Sequence, residues 1–376
     1  VEQKTSFVRA LRHSGMLMAS AFMLAACTPP EPVRLGFLGG ISGRVADLGI
    51  GGRNGAQLAV ELRNAAGGIH GRQIELLVED DQQNPELAQQ AVARLIHLKV
   101  DAIVGPMTSA MAMATVPLVD RAQTLMVSPT ATTPLLAGLD DHFFRVLAAT
   151  TEYAQKSANY HFATQGSRRI AALIDLRNQS YSKTWLQDYR TAFEAAGGVI
   201  SDTVSFSSGE DTQFSVLTER LLHSQPDGVL IVANSVDTAL LAQQIRKRDA
   251  KINMYTAEWA ATERLLELGG KAVEGIVIAQ FLDRASQQPS YLAFHKTYVE
   301  RFQQQPGFAG LTGFDAANVV LDALAARTDG QTLKQAVLAR QKFAGAQSTI
   351  LFDASGDAKR DTFMTTIRDG AFVRLQ

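Results

Sequence analysis

The chain has 376 residues, 46% of them hydrophobic and 19% charged, which is apolar material for more than one core. A formal net charge of −1 shows no excess of Lys and Arg, so nothing points to nucleic acid, whose binding needs them clustered. The single cysteine, Cys27, excludes an intrachain disulfide.

Taken from the N-terminus, Lys4, Arg9 and Arg12 precede the apolar run GMLMASAFMLAA, which ends at Cys27. This order of basic and apolar segments predicts a secretory signal over residues 1–26. The run is about half the ~20 residues a membrane-spanning helix needs. A frayed amphipathic helix is the plainer alternative. LAAC, Leu24 to Cys27, resembles the bacterial lipobox. That resemblance implies cleavage before Cys27, a diacylglycerol anchor on its sulfur, and a place in the cell envelope facing the periplasm or the outer-membrane surface. Residues 27–32, rich in proline, then form a short tether.

From Val33 onward short apolar runs alternate with amphipathic ones. VRLGFLGG from Val33 reads as a strand, and Gly55 to Ala66 as a helix stopped by Gly67 and Gly68. A strand follows from Ile74. Asn84 and Pro85 then open a second helix, Asn at the N-cap and Pro at N1. Further strands begin at Ala102 and Leu125. The rhythm restarts near Glu152, with strands from Ile170, Gly228, Ile252 and Gly275. Near the C-terminus, Asp369-Gly370 between two β-patterned runs signals a hairpin. Nearly continuous apolar strands alternating with helices predict parallel sheets covered on both faces. Two such series predict two doubly wound α/β lobes.

Ligands of open parallel sheets bind beyond the carboxyl ends of the strands. Those ends carry GGISGRVADLG, GPMTSA with Thr108 and Ser109, SPTATTP with Thr130, Ala131 and Thr132, DLRNQSYS with Tyr181, ANSVD, and AEWAAT with Glu258 and Trp259. Hydroxyls and helix N-terminal N–H groups suit a carboxylate, and Glu258 suits an ammonium. Each residue also has a plainer role. Ser109 could cap a helix, Thr130 and Thr132 could bond their own turn, Tyr181 could pack the lobe, and Glu258 could favour a helix start. Enzyme signatures are missing. GIGGRNG near Gly49 has Asn54 where a dinucleotide fingerprint needs glycine. Neither GxxxxGK[ST] nor GxSxG occurs, and no two histidines lie within five residues. No metal or organic cofactor is implied, and an envelope hydrolase is the weakest of the functional readings.

The stretch from Gly39 through Pro85, followed in order by GPMTSAMAMATVPL, SPTATTP and TAEW, resembles the branched-chain amino-acid type of periplasmic solute-binding proteins over residues 33–376. The resemblance implies the type I periplasmic-binding-protein fold, with two lobes joined by three crossovers around a ligand cleft. Lobe 1 would comprise 33–148 and 283–354, and lobe 2 149–282 and 355–376. It implies that Ser109 and Thr132 donate hydroxyls to a ligand α-carboxylate, with Thr130 and Ala131 contributing backbone beside them. Glu258 would meet the ammonium and Tyr181 would form a wall from lobe 2. Asn234 and Ser235 match a lobe 2 loop, and Phe281 an aromatic near the cleft. Leu48 stands where leucine/isoleucine/valine binders can carry an aromatic, which implies a side-chain pocket of different shape. The implied function is capture of a small amino acid by hinge closure and delivery to an ABC permease. A ligand-sensing or scaffolding lipoprotein on the same fold, or a binder of amides or aromatic acids, are the alternatives.

Overall fold

The computed structural model describes residues 30–375. The expected signal segment 1–26, Cys27 and the first residues of the tether lie outside the described residues. The end of the tether is fixed to lobe 1, because Arg72 donates to the carbonyls of Glu31 (2.7 Å) and Pro32 (3.1 Å).

Lobe 1 is built on five strands: β1 (Val33–Gly39), β2 (Ile74–Asp80), β3 (Ala102–Val104), β4 (Met126–Ser128) and β5 (Phe143–Arg145). All pair in parallel, in the order β2-β1-β3-β4-β5. Lobe 2 repeats the plan with β6 (Arg169–Asp175), β7 (Val199–Phe206), β8 (Gly228–Val232), β9 (Asn253–Thr256) and β10 (Val277–Gln280). A three-stranded antiparallel sheet, β11 (Lys342–Ala344), β12 (Thr349–Phe352) and β13 (Ala358–Lys359), follows. The hairpin β14 (Phe363–Arg368) and β15 (Ala371–Arg374) completes the lobe 2 sheet, in the order β15-β14-β10-β9-β8-β6-β7. Asp369 and Gly370 turn it with φ of 52° and 71°, as the Asp-Gly pair predicts. The pairing of β12 with β13 carries the small sheet past residue 354.

The chain crosses between the sheets three times, between Arg145 and Thr150, between Gln280 and Pro289, and between Lys359 and Phe363. Both parallel sheets reverse strand order beside their first strand, which is where such folds open a crevice.

The first helix runs over Ala46–Ala65 and so begins nine residues before the expected Gly55. The glycines Gly49, Gly51, Gly52 and Gly55 hide its start from a periodicity reading, since each weakens a helix by about 1 kcal/mol relative to Ala. Packing explains them. A Cβ on Gly55 would stand 2.1 Å from the Gly310 carbonyl oxygen, and one on Gly49 2.0 Å from that of Gly40. Gly49 meets Gly40 and Gly52 meets Met107, while Gly51 and Gly55 let this helix lie against Gly307–Ala326. That partner is apolar and long enough to cross a membrane, but it is largely buried inside lobe 1.

Candidate ligand site

A cavity lies where the strand ends of the two lobes face each other. Leu48, Met107, Thr108, Ser109, Thr130, Thr132, Leu147 and Phe308 line it from lobe 1 and the first crossing. Asn178, Tyr181, Glu258, Trp259, Ala261, Gln280, Phe281 and Leu282 line it from lobe 2 and the second crossing. The cavity volume between these walls is about 30 Å³. The walls make a slot between the lobes.

One end of the slot is polar and belongs to lobe 1. The SPTATTP turn is stitched to the loop after β3 by three hydroxyls. Ser128 Oγ donates to the Pro106 carbonyl (2.7 Å) and accepts from the Ala131 N–H (2.9 Å). Thr130 Oγ1 donates to the Met107 carbonyl at 2.5 Å. Ser109 Oγ accepts from the N–H groups of Thr132 and Thr133, each at 3.2 Å. A hydroxyl has two acceptor positions and one proton, so Ser109 keeps its proton for an acceptor in the slot. Thr133 accepts from the Leu135 N–H at the head of a short 3-10 turn. Thr132 Oγ1 and Thr108 Oγ1 are buried without a protein partner. Thr108 is the N-cap residue of the helix Ser109–Ala122, yet its side chain makes no capping bond.

The facing wall belongs to lobe 2. Glu258 follows β9 at the start of a 3-10 turn and is buried. Its Oε2 accepts from the Trp185 indole N–H at 2.9 Å, while Oε1 has no partner. Burial pushes its pKa up to about 7, against the lowering effect of its own backbone N–H, the Trp185 indole and the nearby Tyr181 hydroxyl. The Tyr181 hydroxyl lies near this carboxylate but in no well-formed hydrogen bond. Its ring packs edge-on against Trp259, centroids 5.6 Å apart. Leu48, Met107, Leu147, Phe281, Leu282 and Phe308 make the rest of the slot apolar, with Phe281 and Phe308 meeting edge to face. The lobes touch beside it, where Asn178 Oδ1 accepts from the Ala110 N–H at 2.9 Å.

Of the expected site residues, Leu48, Ser109, Thr130, Thr132, Tyr181, Glu258 and Phe281 line this cavity. Ala131 is buried behind it, its N–H engaged by Ser128. Asn234 is not among the walls. Its Oδ1 accepts from the Asp237 N–H and its Nδ2 donates to Asp237 Oδ2, so it caps the helix Ser235–Arg248. The sequence NSVD carries that capping pattern. Asn178 and Trp185 escaped the sequence reading. Trp185 had a signal, since it lies four residues after Tyr181 on the same helix face. Among the described residues no group of three His, Cys, Asp or Glu side chains could hold a metal ion.

Residues 32–371 match the family described as periplasmic binding protein. The Leu/Ile/Val-binding protein BraC3 of Rhizobium johnstonii is 24% identical over 338 residues, covering 88% of this chain and 90% of that one. The crystal structure of the leucine-binding protein LivK from Thermotoga maritima superposes with a TM-score of 0.83 at 25% identity, covering 92% of this chain and 98% of the other. A solute-binding protein of an ABC transporter from R. palustris, crystallised with benzoate, has a TM-score of 0.82 at 18% identity and covers 92% and 95%. The two-lobed architecture is thus the type I periplasmic-binding-protein fold.

Proposed function

The chain belongs to the periplasmic binding protein family, and on that premise we propose that it captures a small apolar α-amino acid between its lobes and delivers it to an ABC permease. One observation carries this reading. Across an apolar slot, the unpartnered hydroxyls of Thr132 and Thr108 and the uncommitted proton of Ser109 stand opposite Glu258, whose Oε1 is buried without a partner. Three hydroxyl donors suit a carboxylate, and a lone buried carboxylate oxygen suits an ammonium. A ligand carrying both charges would relieve the cost of burying these groups unpaired. The apolar walls suit a branched side chain, in keeping with the Leu/Ile/Val-binding relatives.

A second reading rests on the raised pKa of Glu258. A carboxyl group titrating at about 7 can also stay neutral and donate a hydrogen bond to a ligand oxygen, which would suit an aromatic acid with no amine. The benzoate-bound neighbour shares the fold. A thermal-shift screen against α-amino acids and aromatic acids separates the two. At a hundred times Kd a ligand stabilises the protein by about 2.7 kcal/mol. Leucine, isoleucine or valine should raise the melting temperature. A shift with benzoates and with no amino acid would overturn the first reading.

We further propose that Cys27 carries a lipid anchor that holds the protein at the membrane facing the periplasm. Cys27→Ser should release it to the soluble fraction with ligand binding intact. Unchanged membrane association would refute the anchor.

A further inference from the structure

Beside the slot, lobe 1 grips lobe 2 through two side chains that do not line the cavity. Arg44 sits in the turn Gly43–Val45 and Asp47 in the first turn of the helix that follows. Arg44 Nη1 pairs with Asp237 Oδ1 at 2.9 Å, and Nη2 donates to the Gly209 carbonyl at 2.8 Å. Asp47 Oδ2 accepts from Ser235 Oγ at 2.6 Å and from Thr262 Oγ1 at 2.5 Å. Two adjacent arms thus hold three separate segments of lobe 2. Asp237 is itself braced, because its other oxygen accepts from Asn234 Nδ2 at 2.7 Å.

The position of these contacts matters as much as their chemistry. Leu48, directly after Asp47, lines the slot, as does Ala261, directly before Thr262. On the far side Asp47 and Thr262 line an outer groove of about 490 Å³, and Phe308 borders both spaces. The Asp47–Thr262 bond therefore stands between the slot and the outside.

We propose that Arg44 and Asp47 form a latch across the cleft mouth that sets how long a ligand stays bound without touching it. This rests on the reading of the slot as a solute-binding site. Contacts that exist only when the lobes meet multiply the population of that state, and so scale affinity by one factor for every ligand. A ligand side chain seated against Leu48 and Ala261 brings the adjacent Asp47 and Thr262 together, which couples filling of the slot to closing of the gate. Because the latch forms after entry, its loss speeds release and leaves association nearly unchanged.

The test uses the full chain, with L-leucine as probe and stopped-flow kinetics as readout. Asp47→Ala and Arg44→Ala should each raise the dissociation rate about tenfold, the factor for losing one or two charge-assisted hydrogen bonds at a partly exposed site. Association should stay within about twofold. Thr262→Ser keeps the hydroxyl and should behave like the parent, whereas Thr262→Val should release faster. The relative affinities for leucine, isoleucine and valine should not change. A second measurement needs no ligand. Spin labels on the exposed positions 62 and 199, one per lobe, in a Cys27→Ser background, should show fewer short interlobe distances in Asp47→Ala than in the parent. Unchanged release rates, an altered ligand ranking, or identical distance distributions would overturn the latch. If the parent takes no L-leucine, the amino-acid reading of the slot fails, and the label distances alone decide the latch.

Discussion

If the slot takes an amino acid as proposed, with Glu258 as the ammonium partner, affinity should depend on pH, with a sign set by the raised pKa of Glu258. An ammonium binds the ionised carboxylate. In the closed cleft burial holds the pKa of Glu258 at about 7, so there only about one molecule in eleven is ionised at pH 6 and about ten in eleven at pH 8. The carboxylate must lose its proton to receive the ammonium. Kd for L-leucine should therefore fall about tenfold from pH 6 to pH 8, and binding at pH 6 should release about one proton. Calorimetry in two buffers of different ionisation enthalpy measures both quantities. The unliganded fold shows the opposite dependence. A carboxyl group whose pKa is higher folded than unfolded stabilises the folded state at low pH. That contribution is present below the ordinary value of 4.5 and is lost as pH rises through about 7. Asp175 and Asp81, raised by burial to about 6 and about 7, act on stability in the same direction. Glu258→Gln removes the Glu258 share of both slopes and leaves theirs. A Kd for leucine that is flat over this range, or proton uptake on binding, would refute the ammonium role. An aromatic acid that hydrogen-bonds the neutral carboxyl group would bind more tightly at pH 6 than at pH 8.

Thr132→Val keeps the shape of the side chain and removes a buried hydroxyl that has no protein partner. Leucine binding should weaken by about 1–3 kcal/mol, while the melting temperature of the unliganded protein should not fall; a fall without loss of binding would make Thr132 a structural residue. Trp185→Phe deletes the 2.9 Å donor to Glu258 Oε2, so the midpoint of the pH dependence of Kd should move upward, and an unmoved midpoint would show that the indole does not support the carboxylate. Arg360 and Asp315 are both buried and pair at 2.5 Å, and Arg360 also donates to the Val146 carbonyl. Arg360→Met should cost about 3–5 kcal/mol in denaturant unfolding by stranding Asp315, with much of that recovered on adding Asp315→Leu. Equal stabilities for the single and double variants would refute that account.

The architecture was legible because it is written in periodicity. The buried strands β6 and β8 are nearly unbroken apolar runs, and no local rule competes with that signal. The start of the first helix was not legible. Gly51 and Gly55 report the close approach of Ala309 and Gly310, over two hundred residues away, and propensity alone reads the glycines as a loop. The cavity was legible to the extent that it lies at strand ends, which is how Ser109, Thr132, Tyr181 and Glu258 could be named together. Asn178 and Trp185 were missed for different reasons. Asn178 lines the cavity and its Oδ1 meets Ala110 across the lobes, a long-range contact. Trp185 acts through Glu258, and a residue one contact removed from a site has no position in a scan of strand ends.

The hydroxyls around SPTATTP divide by whether the protein itself uses them. Ser128, Thr130 and Thr133 bond backbone within lobe 1 and hold the turn in place. Ser109 spends its acceptor positions on two N–H groups, which fixes the direction of its one proton. Thr132, set by the same bonds, spends nothing. A buried polar atom without a partner opposes folding, and four such atoms belong to residues lining the slot: Thr108 Oγ1, Thr132 Oγ1, Tyr181 OH and Glu258 Oε1. They come from both lobes, so opening the cleft returns them to water and closing it desolvates them. A ligand that pairs with them, as proposed, removes that cost of closure. Closing contacts such as Asp47 with Thr262 then act on a balance that the ligand has already shifted. Affinity in this fold is therefore a property of the interlobe surface as a whole, and Thr132→Val and Asp47→Ala should weaken binding through different steps, the first by losing a ligand contact and the second by faster reopening.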